Sequence, residues 1–422
     1  LEWHIICYFI LNLNIRKLKK IYKSSPDNKN IKVLVFPKSG GLDDLISSQK
    51  NYNKRIQYFT MPRYLTKKIF QFFLGENLND YKYLSDDKSI NKRKLLYRNF
   101  LVELLKIFKR KFKLNAIISF NLFYKSDREI QEASKIVGIK FLVIQKESVH
   151  SPIEEKIIES IYKKNSGKFK GEKVAVYSEA EKKRMVNSGI VNSKDIKVIG
   201  CPRLDLAFNY QKVKPNNKQI IYYMIENNRG IPSWLYKIYE KKYIDNFLKH
   251  KNIKKKISWK YLDKIICNNL IKFAKKNPSF RIIFKGKTGI HERSQLPSSL
   301  PKNCYFEDGG PGHVFLKSSK IVVCFNSTVV LEAIAAKRDI IIPQFKKLDN
   351  FTKQFLLKFN LEEFLVESEK EFDKKIKLFS NDTKRKKKFS NNKKKVLSYY
   401  LGNTDGNSGK KLNNFLIENL NL

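Results

Sequence analysis

The chain has 422 residues, which is long enough for two domains, because a single hydrophobic core stops growing at roughly 250–300 residues. Hydrophobic residues make up 42% of it, which excludes wholesale disorder. The formal net charge of +46 at pH 7 is extreme. It indicates either a solvated Lys-rich surface or an anionic partner, such as a membrane face, a glycan or a nucleic acid.

The distribution of cysteine, histidine and lysine argues against some kinds of site and partner. The five cysteines form no CxxC pair and the five histidines no HExxH spacing, so we expect free thiols in a reducing compartment and no metal site. The lysines are spread along the whole chain, and no Cys/His finger or RNP-like aromatic motif appears. This pattern argues against a nucleic-acid partner.

The N-terminal stretch is apolar over residues 1–13 and basic over residues 16–23. The apolar run is too short to span a bilayer and lacks the basic leading region of a signal peptide. Residues 1–30 are therefore predicted to form an amphipathic segment that packs on the protein or lies at a membrane interface. No later segment reaches spanning length. We expect a cytoplasmic protein, with peripheral contact to the inner face of the plasma membrane left open.

In the first half of the chain, short apolar runs rich in β-branched residues alternate with helical patterns. The predicted strands cover residues 31–36, 56–60, 116–120, 141–145, 173–177 and 196–199. The predicted helices cover residues 91–113, 127–137 and 179–188. Gly138 and Gly189 follow the last two helices, where a left-handed residue is common. Such alternation is typical of a doubly wound parallel sheet.

The second half repeats this alternation after a polar stretch. The predicted strands cover residues 219–224, 281–284, 304–307, 321–325 and 340–342, with a helix over residues 258–277. A basic, aromatic-rich insertion at residues 230–256 could line an acceptor cleft or pack as a surface helix. The basic run 384–395 is predicted to be a solvated helix or tail. The predicted organisation is a segment 1–30, a domain 31–208, a linker 209–218, a domain 219–375 and basic helices 376–422.

The most informative stretch is the βαβ unit at residues 320–343, because polar residues occupy its first turn. Asn326, Ser327 and Thr328 stand where a buried strand ends and a helix begins, and all three favour helix N-caps. The free N–H groups of a first helical turn bind anions. Glu332 lies four residues after Thr328 and shares its helix face. Hydroxyls for a phosphate and a carboxylate for sugar hydroxyls suit a nucleotide-sugar site. The alternative is a well-capped helix without a ligand.

Three local strings resemble a known group of proteins. They are VYSEAEK with VIGCPRLD at residues 176–182 and 198–205, FKGKTG at residues 284–289, and FNSTVVLEA at residues 325–333. Together they resemble the GT-B-type bacterial surface (capsule) polysaccharide biosynthesis proteins. That group is similar to the CDP-glycerol polymerases, the capsule sialyl- and Kdo-transferases and the UDP-N-acetylglucosamine 2-epimerases. The resemblance covers residues 120–345 and implies two Rossmann-like doubly wound parallel-sheet domains facing across a cleft.

The resemblance also implies a donor site in the second domain. Ser327 and Thr328 correspond to the pair that holds the donor phosphates, next to Asn326, and Glu332 to the glutamate that meets the ribose. The family's Lys-Pro-His-Pro loop is replaced here by KGKTG, so its histidine is missing, although Lys285 and Lys287 can still offset phosphate charge. Further along the chain, Gly310 and His313 belong to a glycine-rich turn, which lets backbone approach a ligand closely or simply turns tightly.

A catalytic base is expected from the first domain, because ligands bind at the carboxyl ends of parallel strands. Glu147 and His150 follow the strand at residues 141–145, and Asp43 follows the first strand. Each can deprotonate an acceptor hydroxyl. An ordinary loop side chain is the alternative for each of them.

Three functions remain open at this point. The first is an enzyme, a glycosyl- or polyol-phosphate transferase that uses a nucleotide-activated sugar or CDP-polyol donor and a glycan or lipid-linked acceptor, with no further cofactor. The second is a UDP-sugar 2-epimerase of the same fold, which needs several acids in its cleft and no acceptor. The third is a non-catalytic partner in polysaccharide assembly, which would keep residues 327–332 and tolerate the loss of Glu147 and His150.

Overall fold

The computed structural model describes residues 2–17, 31–38, 40–49, 56–146, 148–165, 167–225, 259–287, 290–310, 312–345, 356–359, 361–381 and 390–420. The chain divides into two compact units. Unit 1 comprises Leu1–Ser148, Ile157–Asp205 and Ser398–Leu422, and unit 2 comprises Val149–Lys156 and Leu206–Leu397.

Unit 1 contains a seven-stranded sheet of order β1-β3-β2-β4-β5-β6-β7. Its strands are β1 (Arg16–Lys17), β2 (Ile31–Val35), β3 (Ile56–Thr60), β4 (Leu114–Ser119), β5 (Lys140–Gln145), β6 (Lys173–Val176) and β7 (Ile196–Val198). All pairs are parallel except that of the edge strand β1 with β3. The inner strands are buried almost throughout, as β4 shows, which is why they read as unbroken apolar runs in the sequence.

The helices of this part of the chain, as far as it is described, run up to residue 209. They are α1 (Glu2–Asn14), α2 (Gly41–Gln49), α3 (Arg63–Leu74), α4 (Asp80–Tyr83), α5 (Lys88–Phe112), α6 (Lys125–Val137), α7 (Pro152–Asn165), α8 (Glu179–Asn187) and α9 (Leu204–Asn209). The carboxylate of Asp87 accepts the Ile90 N–H at 3.0 Å and so caps α5. Helix α6 ends at Gly138, whose φ of +70° is the left-handed value expected there.

Unit 2 contains a six-stranded sheet of order β10-β9-β8-β11-β12-β13. Its strands are β8 (Asn216–Tyr223), β9 (Arg281–Lys285), β10 (Cys304–Glu307), β11 (Ser319–Cys324), β12 (Asp339–Pro343) and β13 (Leu365–Val366). Every pair is parallel. The helices in this part of the chain are α10 (Trp259–Lys276), α11 (Ile290–Arg293), α12 (Val329–Ala335), α13 (Glu369–Asn381), α14 (Asn391–Leu401) and α15 (Ser408–Leu420).

Each unit has its own hydrophobic core. The unit 2 core packs the β8, β9 and β11 side chains against α10 and α13. In unit 1, the last helix of the chain completes the core, since Leu412, Phe415 and Leu416 of α15 lie among side chains of β2 and β4. Asp205 holds the start of this helix, because its carboxylate accepts the N–H groups of Ser408 (3.2 Å) and Gly409 (2.7 Å).

The predicted fold class is confirmed: the chain is an α/β protein with two Rossmann-like doubly wound parallel sheets. Strand β8 begins at Asn216, inside the predicted linker 209–218. The first residues of that linker belong to the end of α9 and to a 3-10 turn at Tyr210–Lys212. The insertion at 230–256, residues 18–30 and residues 384–389 of the basic run lie outside the described residues. In the described ranges, no helix combines the length and the apolarity needed to cross a membrane.

Candidate functional site

The candidate site lies where the strand order of the unit 2 sheet reverses. From β8 the chain adds β9 and β10 on one side, and then returns to place β11, β12 and β13 on the other. Tyr223, the last residue of β8, is the register partner of Cys324, the last residue of β11. Doubly wound sheets bind ligands outside the carboxyl ends of the strands at this reversal. The polar turn that follows β11 therefore lies at the topological switch point of unit 2.

The turn itself has a specific backbone shape. Asn326 adopts a φ of +43°, which asparagine tolerates better than most residues, and its Oδ1 accepts the Leu357 N–H at 2.7 Å. The Ser327 hydroxyl accepts the Val329 N–H at 3.3 Å. Thr328 is the N-cap residue of α12, but its side chain makes no capping bond. Ser327 thus accepts a first-turn N–H from the position before the N-cap, whereas Thr328 occupies the N-cap position without a side-chain bond. Helix α12 has only seven residues.

Glu332 lies one turn into α12 and is half-buried. Burial is the main cause of the raised pKa of Tyr223 and of Tyr210, and the negative charge of Glu332 raises both further. The carboxylate therefore lies near a phenol on β8 and a second phenol on the 3-10 turn at Tyr210–Lys212. Carboxylate and phenol groups together offer both acceptors and donors for the hydroxyls of a sugar.

The glycine-rich loop after β10 is joined to the end of β8. The Tyr223 hydroxyl donates a hydrogen bond of 2.7 Å to the Gly312 carbonyl. Gly309 and Gly310 have φ values of +59° and +66°, and a Cβ on either would meet nothing within 4 Å. Their backbone thus faces open space, as close approach of a ligand requires. His313 follows in the 3-10 turn Gly312–Lys317 and is half-buried.

The two predicted lysines occupy different environments. Lys285, the last residue of β9, is 5% exposed, and its ammonium donates to the carbonyls of Gly286 (2.7 Å) and Gly309. Burial lowers the pKa of Lys285, against the opposing charges of Asp308, Glu307 and Glu292. Lys285 therefore ties the loop after β9 to the glycine loop after β10. Lys287 has an exposed side chain, and its backbone N–H donates to Glu292 Oε1 at 3.0 Å.

A buried carboxyl group near this edge escaped the sequence reasoning. Asp263, on α10, is fully buried and accepts hydrogen bonds from the Tyr222 hydroxyl and from the Ile225 N–H (2.9 Å). Its second oxygen, Oδ2, is buried without a hydrogen-bond partner. Burial raises its pKa to about 6, and the Glu292 charge adds to the rise. A signal was present in the sequence, because Asp263 interrupts the apolar stripe formed by Leu262, Ile266, Cys267 and Leu270.

In unit 1 a polar cluster forms around Asp44, the neighbour of the predicted base Asp43. Asp43 is half-buried in the first turn of α2, whereas its neighbour Asp44 is fully buried. Asp44 accepts hydrogen bonds from the Tyr177 hydroxyl and from the Arg203 N–H (3.0 Å), and Arg203 also donates to the Tyr177 hydroxyl at 2.8 Å. Burial raises the pKa of Asp44 against the Arg203 charge. These contacts hold α2 and give Arg203, which follows β7, a structural role.

The other two predicted bases are His150, which the structure describes, and Glu147, which it does not. His150 is buried, at 7% exposure, in the segment Val149–Lys156 that clusters with unit 2, whereas Asp43 belongs to unit 1. Glu147 lies outside the described residues. The structure therefore brings the predicted donor residues to one edge of one sheet, while the predicted bases stay predictions. Over the residues whose placement is described, no cluster of three His, Cys, Asp or Glu side chains could hold a metal ion.

No protein-family model and no curated protein matches the chain in sequence. Solved structures resemble it over most of its length. UDP-GlcNAc 2-epimerase from Neisseria meningitidis bound to UDP-GlcNAc has 12% identity, a TM-score of 0.44 and coverage of 92% of this chain and 100% of the other. S. aureus MnaA with UDP has 9% identity, a TM-score of 0.47 and coverage of 93% and 97%. A glycosyltransferase from Rickettsia africae ESF-5 has 14% identity, a TM-score of 0.43 and coverage of 93% and 99%.

At these identities and scores the neighbours assign neither reaction nor substrate to this chain. Its architecture is defined by its own strand order and parallel pairing.

Proposed function

We propose that the chain is a nucleotide-sugar-dependent glycosyltransferase, or a polyol-phosphate transferase, of bacterial surface (capsule) polysaccharide biosynthesis. One observation supports the proposed donor site: residues 326–332 lie at the strand-order reversal of unit 2. An acceptor hydroxyl on a glycan or lipid-linked glycan would receive the transferred group. The enzyme would work in the cytoplasm at the inner face of the plasma membrane.

Each part of the proposed donor site has a chemical task. Ser327 and the backbone N–H groups beside it would bind donor phosphate oxygens, next to the open backbone of Gly310. Glu332 would accept hydrogen bonds from the ribose. Lys285 has three ammonium N–H donors, of which two go to carbonyls, and the remaining one would offset charge on the leaving phosphate. At the rim of the site, the exposed Lys287 and the half-buried His313 would add further hydrogen-bond donors. No cofactor or metal is part of this proposal.

The catalytic step requires a base that accepts the proton of the acceptor hydroxyl as that oxygen attacks the donor. His150, Glu147 and Asp43 are the proposed candidates. The nucleotide departs with the electron pair of the broken bond, and the donor-site groups stabilise its phosphate charge.

The test is a thermal-shift panel of the full chain against CMP, CDP, UDP, GDP and their sugar or glycerol conjugates at moderate salt. A nucleotide at 100 times its Kd stabilises the folded state by about 2.7 kcal/mol. We expect one nucleotide to give such a shift, and Ser327→Ala or Glu332→Ala to abolish it. Asp373→Ala, an exposed carboxylate on α13 of the same unit, serves as the matched control and should leave the shift intact.

The absence of a shift with every nucleotide, in a sample shown to be folded, would contradict the donor site. A shift without transfer to any acceptor would instead favour the non-catalytic partner.

A UDP-sugar 2-epimerase is the second candidate, because two buried acids, Asp263 and Glu292, lie near the same edge of the sheet. An epimerase that removes and returns a proton at carbon exchanges that hydrogen with solvent. Incubation with UDP-N-acetylglucosamine in deuterated water, followed by NMR, separates the candidates. Deuterium at C2 without an acceptor would favour the epimerase, and retention of the original hydrogen would count against it.

A further inference from the structure

Helix α1 carries an apolar surface on the side that faces away from the protein. Ile5, Ile6, Phe9, Ile10 and Leu13 are all exposed, with Phe9 at 60% and Leu13 at 71%. Their spacing places all five within about 140° of the helix circumference, at 100° per residue. A surface helix of a water-soluble protein normally presents polar residues on that side.

The opposite side of α1 is also apolar and is packed against the protein. Leu11 is 2% exposed, and the ring of Tyr8 meets that of Phe108 on α5 edge-to-face at 5.2 Å. Because this inner side anchors the helix, the outward side chains are held together as one surface. We call the five residues 5, 6, 9, 10 and 13 the α1 apolar face.

A basic cluster lies beside the end of α1. Arg110 and Lys111 in the last turn of α5 are exposed, and Arg16, two residues after α1, is exposed as well. Lys109 of the same turn donates instead to the Val137 carbonyl at 2.6 Å. Strand β1 places Arg16 opposite Thr60 of β3. The neighbouring β3 residue, Phe59, contacts Phe112 at the end of α5 with ring centroids 4.5 Å apart. The cations therefore lie next to the C-terminal end of the α1 apolar face.

From this juxtaposition we infer that the α1 apolar face inserts into the interface of an anionic membrane, while the basic cluster contacts the lipid headgroups. Interfacial helices bury aliphatic and aromatic side chains at the acyl boundary and gain affinity from anionic lipid. Juxtamembrane cations add to the attraction toward such a surface.

The charge of the chain favours a membrane over a second copy of the chain as the partner of the α1 apolar face. Self-association through this face would bring together two basic clusters on chains of net charge +46, which repel each other. Anionic lipid neutralises the same charge.

The inference rests on the proposed function in one respect only. Access to a lipid-linked acceptor is the reason why the chain would need such a surface. Lipid binding by itself is independent of the donor site.

The test is co-sedimentation of the full chain with vesicles of phosphatidylcholine alone and of phosphatidylcholine with phosphatidylglycerol at 3:1. We expect binding to the anionic vesicles, weakening as salt rises, and little binding to the neutral ones. Phe9→Ser/Leu13→Ser should reduce anionic-vesicle binding at least tenfold, and Arg110→Ala/Lys111→Ala should reduce its salt dependence. The matched control is Ile136→Ser/Leu378→Ser, on α6 and α13, whose side chains are 63% and 56% exposed.

The inference is overturned if the folded wild-type chain does not sediment with anionic vesicles, or if the control variant loses binding equally. It is also overturned if size-exclusion chromatography shows a dimer that Phe9→Ser/Leu13→Ser disperses while lipid binding stays unchanged. The nucleotide thermal shift of Phe9→Ser/Leu13→Ser should equal that of the wild type. Failure of lipid binding and failure of the donor site are therefore read out separately.

Discussion

The hydroxyl of Tyr223, at the end of β8, donates a 2.7 Å hydrogen bond to the carbonyl of Gly312, in the loop that leads from β10 to β11. Tyr223 is 8% exposed, so the bond is shielded from water. It fixes the glycine loop beside the strand-order reversal of unit 2, where the donor turn also lies.

Tyr223→Phe keeps the ring and removes only this bond. A net hydrogen bond contributes about 0.5–1.5 kcal/mol, so we expect the free energy of unfolding to fall by about 1 kcal/mol. Urea denaturation measures the change. Tyr305→Phe, on a ring that is 41% exposed, is the matched control and should change the free energy of unfolding by less than half as much. Equal losses in the two variants would show that the Tyr223 bond does not hold the loop.

Gly41 stands at the start of α2, where a Cβ would overlap the ring of Phe120 after β4. Overpacking of a filled core costs about 1–3 kcal/mol, so we expect Gly41→Ala to lower the free energy of unfolding by at least 2 kcal/mol. Gly309→Ala is the control, because its φ is +59° but its Cβ would meet nothing within 4 Å. Left-handed backbone alone costs about 1–2 kcal/mol for alanine. A smaller loss at position 41 than at 309 would contradict the close approach of Phe120.

Asp263 makes the stability of unit 2 depend on pH. Its folded-state pKa of about 6 exceeds the ordinary value of 3.8, so its favourable contribution is complete below 3.8 and is lost as pH rises through 6. Between pH 5 and pH 8 this loss amounts to about 1.4 kcal/mol. Asp263→Asn keeps an oxygen for the Tyr222 hydroxyl and the Ile225 N–H and removes the titration.

We therefore expect the stability of Asp263→Asn, relative to wild type, to increase from pH 5 to pH 8 in urea denaturation. A difference that stays constant over this range would show that the Asp263 carboxyl has an ordinary pKa.

Asp205 joins the last helix to unit 1. Its carboxylate accepts the N–H groups of Ser408 and Gly409 and an amide N–H of Asn403 at 2.6 Å. Removing an acceptor from buried donors costs about 1–3 kcal/mol, so Asp205→Ala should destabilise unit 1 by that amount and speed proteolysis near α15. Asp405→Ala, an exposed neighbour, should do neither. Unchanged proteolysis of Asp205→Ala would mean that α15 is held by its core contacts alone.

Some elements of the fold follow from local sequence patterns. The apolar runs of β2, β4, β5 and β11 were predictable within one or two residues, because strands buried on both faces read as continuous apolar stretches. Gly138 was predictable as the end of α6 for a similar reason, since a left-handed residue after a helix favours glycine.

The placement of these elements in space depended on the tertiary structure. The sequence by itself determined the α/β class, the alternation of strands and helices and the polar turn at residues 326–328, because those depend on periodicity and local backbone preference. Only the tertiary structure decided that Tyr223 lies opposite Cys324, that Lys285 donates to two carbonyls and that α15 returns to unit 1. Contacts between residues far apart in sequence follow from strand order and burial, which no local pattern encodes.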